Sequence, residues 1–271
     1  MKPTPTPLLS ITGLSISSAR QCLVSEVSLT LHKGQCLGIV GESGSGKTLI
    51  CRALLGLLPA NLKASGRIVF EQTEMLTASL EERRRVLGTG MSIIMQQAMT
   101  AFDPLYSLGE QFGETLQEKL GLGREKALDL AKASLGKVKL PPSVLNSYPH
   151  QLSGGMLQRC MIALSLALRS RLLVADEPTT ALDAKTQYEV LQRFQRLRKH
   201  DGLTLIFVSH DLGAVQLLAD SLLVMRQGQC VEQGDATTIF NAPRHAYTQY
   251  LVRTRLALSQ GFRRMLGASH V

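Results

Sequence analysis

No apolar run in this chain approaches the ~18–20 residues needed to span a bilayer. The opening stretch Met1-Lys2-Pro3-Thr4-Pro5-Thr6-Pro7 lacks the apolar segment of a secretory signal and reads as a disordered leader over residues 1–7. The chain is therefore expected to stay in the cytosol unless a partner holds it at a membrane. Cysteine is sparse and scattered: Cys22, Cys36, Cys51, Cys160 and Cys230 form no C-x-x-C pair. An odd, unclustered set argues against a disulfide framework or a zinc site, and most of these thiols have the apolar neighbours of a core position. No internal repeat is present, so a single unit is expected rather than a tandem pair.

At 271 residues, 44% hydrophobic and 19% charged, the composition is that of an ordinary soluble chain able to bury one large core or two small ones. The formal net charge is +9. That sign suits nucleic acid, an anionic membrane surface or a nucleotide-binding protein with a basic tail, and does not choose among them.

One stretch is specific. Gly41-Glu42-Ser43-Gly44-Ser45-Gly46-Lys47-Thr48 fits the phosphate-loop pattern G-x-x-x-x-G-K-[ST]. By chance its four fixed positions recur in roughly one chain in a hundred of this length. Gln35–Val40 before it reads as a short buried strand, and Leu49–Leu58 after it as a helix closed by Pro59. In that setting backbone N–H groups converge on phosphate oxygens at a helix N-terminus. Lys47 would reach the β- and γ-phosphates, and the Thr48 hydroxyl would meet Mg²⁺.

The remaining elements follow in order. Alternation from Leu8 to Thr30 predicts two or three antiparallel strands, with Lys33-Gly34 as a turn and another strand over residues 64–72. Glu81–Arg85 reads as a solvated helix face, and Met91–Gln96 as an apolar strand. From Pro104 to Leu145 the spacing of Leu105, Leu108, Phe112 and Leu116, then Ala127, Leu130, Ala131 and Leu135, predicts amphipathic helix. Leu172–Glu177 is a buried strand with Asp176 and Glu177 at its C-terminal end, where open α/β sheets bind ligands. Asp183 is expected to cap a helix with Tyr188, Leu191 and Phe194 on one face. A strand over Leu203–Ser209 leads to His210, a hairpin turns about Gly228, and the tail from Ala236 is helical and basic, with Arg253, Arg255, Arg263 and Arg264.

Tyr148-Pro149-His150-Gln151-Leu152-Ser153-Gly154-Gly155 precedes the Asp-Glu strand and offers a second anion-binding helix start. With the phosphate loop, Gln96, Asp176-Glu177 and His210 in this order, the chain resembles the ATP-binding subunits of ABC transporters from about Leu8 to Tyr250. The resemblance implies an α/β fold with a RecA-like phosphate-loop core, an antiparallel β-subdomain and a helical signature subdomain at about 97–157. It implies that residues 41–48 cradle ATP, that Gln96, Asp176 and Thr48 serve Mg²⁺, that Glu177 is the general base and that His210 contacts the γ-phosphate. Ser153, Gly154 and Gly155 match the signature that meets the ATP of the opposite subunit, and Ala181-Leu182-Asp183 the loop crossing between the sites. Adjacent carboxylates suit this chemistry, since one can hold the metal while the other aligns water.

Ala101-Phe102-Asp103-Pro104-Leu105 and Pro243-Arg244-His245-Ala246-Tyr247-Thr248 resemble the importers of peptides and nickel, most closely the D-type ATPase subunit of nickel importers and related metal–opine systems. The resemblance implies a second ATPase subunit, two membrane permease subunits and an external binding protein, with this chain peripheral on the cytoplasmic face of the inner membrane. The cargo that the resemblance implies is nickel or a metal–opine complex, with an oligopeptide as alternative; action on nucleic acid is set aside because the chain has one cassette and a short helical insertion. Two departures stand out. No aromatic residue lies between Ile11 and Thr30 to stack on adenine, leaving an aliphatic residue such as Ile16, and Gln96 is followed by Gln97-Ala98 where an acidic or amide residue and proline are usual. No cysteine follows Cys230, so no iron–sulfur cluster is expected.

Overall fold

Alternating burial along the first strand sets the architecture. In β1 (Leu9–Ser17) Leu9, Ile11, Leu14 and Ile16 are buried while the intervening residues are not. It pairs antiparallel with β2 (Cys22–Leu31) on one side and β4 (Lys63–Phe70) on the other, and β5 (Thr73–Glu74) extends that edge. The structure is a computed structural model that describes residues 6–254. Most of the expected leader, and Arg255, Arg263 and Arg264 of the expected basic tail, lie outside the described residues.

The chain divides into two compact units. The first takes residues up to Arg83 and from Gln195 onward. Beside its antiparallel strands stands a parallel group in which β3 (Cys36–Gly41) lies between β8 (Thr204–Val208) and β9 (Ser221–Arg226). Continuous burial of β3 and β8 explains their unbroken apolar runs, since both faces of a central parallel strand are covered. The hairpin expected about Gly228 forms between β9 and β10 (Gln229–Asp235), with Gln227 and Gly228 both at positive φ.

Helix α1 (Lys47–Leu54) begins two residues earlier and ends four residues sooner than its sequence suggested. Gly56 at φ 68 closes it, before Pro59 can act. The short helices α7 (Leu212–Leu218) and α8 (Ala236–Asn241) and a helical stretch over 246–254 complete the unit. Ile16, on the strand that lies between β2 and β4, is fully buried, so the expected adenine contact falls away. Strand alternation points that side chain into the core.

The second unit, Arg84–Phe194, is helical around one parallel strand pair. The charge run Glu81–Arg85 leads into it on α2 (Leu80–Val86), which buries no residue. Strand β6 (Met91–Ile94) pairs with β7 (Leu172–Asp176). The long amphipathic segment resolves into α3 (Leu108–Leu120) and α4 (Arg124–Lys137), separated at Gly121, whose φ of 64 gives α3 its left-handed cap. Ser107 and Glu110 form a capping box at the start of α3, a feature worth about 1 kcal/mol. Phe112 and Leu116 fill the core and Phe112 stacks on Phe102 at 6.4 Å, whereas Leu105 is 78% exposed because it precedes the helix. Helix α5 (Gly154–Leu168) packs against α4, and α6 (Ala184–Asp201) starts in this unit. Asp183 caps α6 as expected, accepting from Thr186 N–H at 3.0 Å. Val190, Leu191 and Phe194 form its buried face, but Tyr188 points outward, 53% exposed. Among the described residues no helix is long and apolar enough to cross a membrane.

Candidate functional site

In the first unit, β3 delivers the chain into residues 41–48 at its C-terminal end. Gly41 has no room for a side chain: a Cβ there would stand 2.2 Å from the Met225 carbonyl oxygen. Gly44 and Gly46 adopt φ of 79 and 100, a region glycine enters without steric cost. Gly46 is also the N-cap of α1, where no side chain caps the helix and no acidic residue occupies the first turn. The N–H groups of that turn and the positive end of the helix dipole therefore favour an anion.

The buried Lys47 ammonium donates to the carbonyls of Gly41 at 3.0 Å and Glu42 at 2.8 Å. Two outside contacts brace the loop: Gly228 N–H donates to the Ser45 carbonyl at 3.2 Å, and Glu42 N–H donates to the Tyr247 hydroxyl at 2.9 Å. His210 follows β8, which runs parallel beside β3, so it leaves the sheet at the same edge as the loop. Ser209 N–H donates to the Ile39 carbonyl at 3.3 Å, and Asp211 caps α7, fixing the chain on both sides of the exposed histidine. The first unit thus brings residues 41–48 and His210 to one sheet edge.

In the second unit, β6 and β7 end together, so Gln96 follows one strand and Asp176 closes the other. Asp176 and Glu177 are 3% and 7% exposed. Glu177 lies just past the strand at φ 50. Turn geometry rather than strand alternation therefore aims it. Its carboxylate and carbonyl accept the Thr180 hydroxyl at 3.1 and 3.3 Å.

The helix behind these strand ends begins at Ser153, whose hydroxyl accepts from Met156 N–H at 3.3 Å. Ser153 and Gly154 are exposed, and a Cβ on Gly155 would stand 3.0 Å from the Ala181 carbonyl. Gln158 on the same helix is buried. Its side-chain nitrogen donates to the carbonyls of Met95 at 3.3 Å and Pro178 at 3.1 Å, tying α5 to the chain before Gln96 and after Glu177. Neither this role nor the loop contact of Tyr247 was visible in the sequence. A glutamine among the mostly apolar residues of α5 was the one available signal for the first.

An ABC transporter family model matches residues 24–180. The metal-staphylopine import system ATP-binding protein CntD of Staphylococcus aureus strain Mu50 is 42% identical over 264 residues, covering 96% of this chain and 97% of that protein. The glutathione import ATP-binding protein GsiA of Salmonella typhimurium strain LT2 is also 42% identical, over 261 residues covering 90% of this chain and 41% of that protein. Among solved structures, the dimeric ATP-binding cassette MJ0796 bound to ADP and Pi superposes with a TM-score of 0.77 at 24% identity, over 84% of this chain and 98% of that one.

Proposed function

The chain belongs to the ABC transporter ATP-binding family, and we propose that it is the ATP-hydrolysing subunit of an importer whose cargo is a metal held in an organic chelator. One observation carries the reading: near end-to-end identity of 42% with a metal-staphylopine import ATP-binding protein. Of the cargoes left open by the sequence, the chelated metal thereby moves ahead of free nickel.

The proposed chemistry uses residues already described. Amides of residues 41–48 and Lys47 bind the phosphates of ATP. Glu177 accepts a proton from the attacking water, and His210 contacts the γ-phosphate. Thr48, Asp176 and Gln96 offer the hard oxygen donors that Mg²⁺ takes and would hold it. When bound, the ion supplies neutralisation of the charge on the transferring phosphoryl group. Ser153, Gly154 and Gly155 reach the nucleotide of a second ATPase subunit, which the exposure of Ser153 and Gly154 permits. Closure of two subunits on ATP and reopening after hydrolysis would drive import through two permease subunits fed by an external binding protein. Met99, Leu105 and Tyr106, exposed apolar residues in one short segment after Gln96, suit contact with such a permease. The chain would then work at the cytoplasmic face of the membrane.

A short peptide is the second reading, favoured by the equal identity to a glutathione import protein, of which this chain spans about two fifths. Uptake decides between them. Cells lacking the chain are supplied with metal alone, with metal plus a chelating metallophore, and with labelled short peptides. Loss confined to the chelated metal, restored by wild type and not by Lys47→Ala, supports the first reading. Loss confined to peptides supports the second and overturns the first.

A further inference from the structure

Residues 243–248, singled out in the sequence, have no part in the chemistry above. In the structure they are fastened to the loop at 41–48. Glu232 on β10 accepts the backbone N–H groups of Arg244 at 2.9 Å and His245 at 3.0 Å. Burial works to raise the Glu232 carboxyl, yet the hydrogen bonds it accepts, that from the Arg244 amide first, hold it below the ordinary value. Thus anchored, the chain carries Tyr247 inward until it is 5% exposed. The Tyr247 N–H donates to His245 Nδ1 at 3.1 Å, and the Arg226 guanidinium lies 5.0 Å from the ring centroid. The hydroxyl then accepts Glu42 N–H at 2.9 Å, a bond between residues 205 apart in sequence.

Glu42 is also one of the two residues whose carbonyls hold Lys47. One residue of the loop is therefore gripped from both sides, through its amide by Tyr247 and through its carbonyl by Lys47. A phenylalanine would fill the same space and still offer its ring to Arg226. The hydroxyl is what it would lose, and with it the bond to the Glu42 amide.

We propose that Tyr247 is a positioning residue for nucleotide binding, its hydroxyl holding the Glu42 amide so that the loop is shaped before ATP arrives. The inference rests on residues 41–48 being the nucleotide site. A loop ordered in advance loses less freedom on binding, so the effect belongs to affinity rather than to the chemical step.

The test is Tyr247→Phe in the full chain, with Tyr250→Phe, an exposed residue of the same helical stretch, as control. Expected for Tyr247→Phe are an ATP dissociation constant and KM raised about five-fold, the scale of one lost hydrogen bond. The kcat is expected within about two-fold of wild type, since no reacting group is touched. Amide hydrogen exchange should quicken at Glu42 and not along β3. Unchanged affinity and exchange at Glu42 overturn the inference, as does a matched fall in kcat and affinity with a lowered melting temperature. Should Tyr247→Phe fold poorly, Glu232→Gln loosens the anchor instead, and the same loss of affinity at constant kcat is expected; its absence overturns the inference. Lys47→Ala separates the two readings. If it binds ATP like wild type, the nucleotide site lies elsewhere; if it abolishes binding while Tyr247→Phe is neutral, only the role of Tyr247 fails.

Discussion

The side-chain nitrogen of Gln158 stands 3.1 Å from the carbonyl oxygen of Pro178. Its second acceptor, the Met95 carbonyl at 3.3 Å, makes one buried amide the fastener for the strand ends that carry Gln96 and Glu177. Gln158→Leu keeps the bulk and removes both donors, leaving two carbonyls unsatisfied. We expect a loss of about 1–3 kcal/mol in stability. Turnover should fall by about ten-fold, because a displaced catalytic group is costly even when chemically intact. Thermal melts and steady-state ATPase rates check this; normal turnover in a well-folded variant would remove Gln158 from the account.

Gly41 and Gly44 look alike in sequence but are constrained differently. At Gly41 a Cβ meets the Met225 carbonyl at 2.2 Å, whereas at Gly44 nothing lies within 4 Å and only φ of 79 resists a side chain. Gly44→Ala is expected to cost about 1–2 kcal/mol, the penalty of the left-handed region. Gly41→Ala must also move backbone and should cost more, about 3 kcal/mol or above. Denaturant unfolding of the two variants gives the order directly, and equal losses would contradict the packing described.

Legibility tracked how tightly chemistry restricts residue type. The strand–loop–helix around 41–48 was readable because two glycines, a lysine and a threonine at fixed spacing have few other uses, and the buried strands announced themselves as apolar runs. Boundaries set by a single backbone angle were not readable: α1 stops at Gly56 rather than Pro59. Exposure went wrong where helical spacing extended past a helix end or included an amphipathic ring, as at Leu105 and Tyr188. Ile16 failed for a different reason: it shares its buried face with Leu9, Ile11 and Leu14, and alternation shows that they share a face but not that the face is the core. Gln158 and Tyr247 act through contacts distant in sequence, which no local pattern records.

Thiol reactivity follows burial. Cys36 and Cys160 are pushed up to about 12 by burial, while Cys22 is exposed. Near pH 8 a small maleimide should modify Cys22 first in the native protein and reach Cys36 and Cys160 only on unfolding. An unfolded thiol ionises near pH 8.5. The folded state binds these protons more tightly, so their contribution to stability is complete below that value and is lost as pH rises toward about 12. Peptide mapping of labelled sites is the check, and early labelling of Cys160 would mean that the core around α5 opens readily.

Glu177 combines two demands that conflict. As the proposed general base it must be a carboxylate, yet it sits at φ 50, where a side chain with Cβ is disfavoured by about 1–2 kcal/mol. Glu177→Gln keeps the shape and the backbone penalty, so melting should change little while turnover falls by about 10²–10⁴-fold and ATP remains bound. Glu177→Gly removes both the carboxylate and the penalty, though it also gives up the bond to the Thr180 hydroxyl. Net stabilisation of up to about 1 kcal/mol is expected, with turnover equally lost. A glutamine variant that hydrolyses ATP at the wild-type rate would take the base assignment from Glu177. A glycine variant less stable than the glutamine one would mean that the Thr180 bond outweighs the backbone, and that the site holds its glutamate by contact rather than against strain.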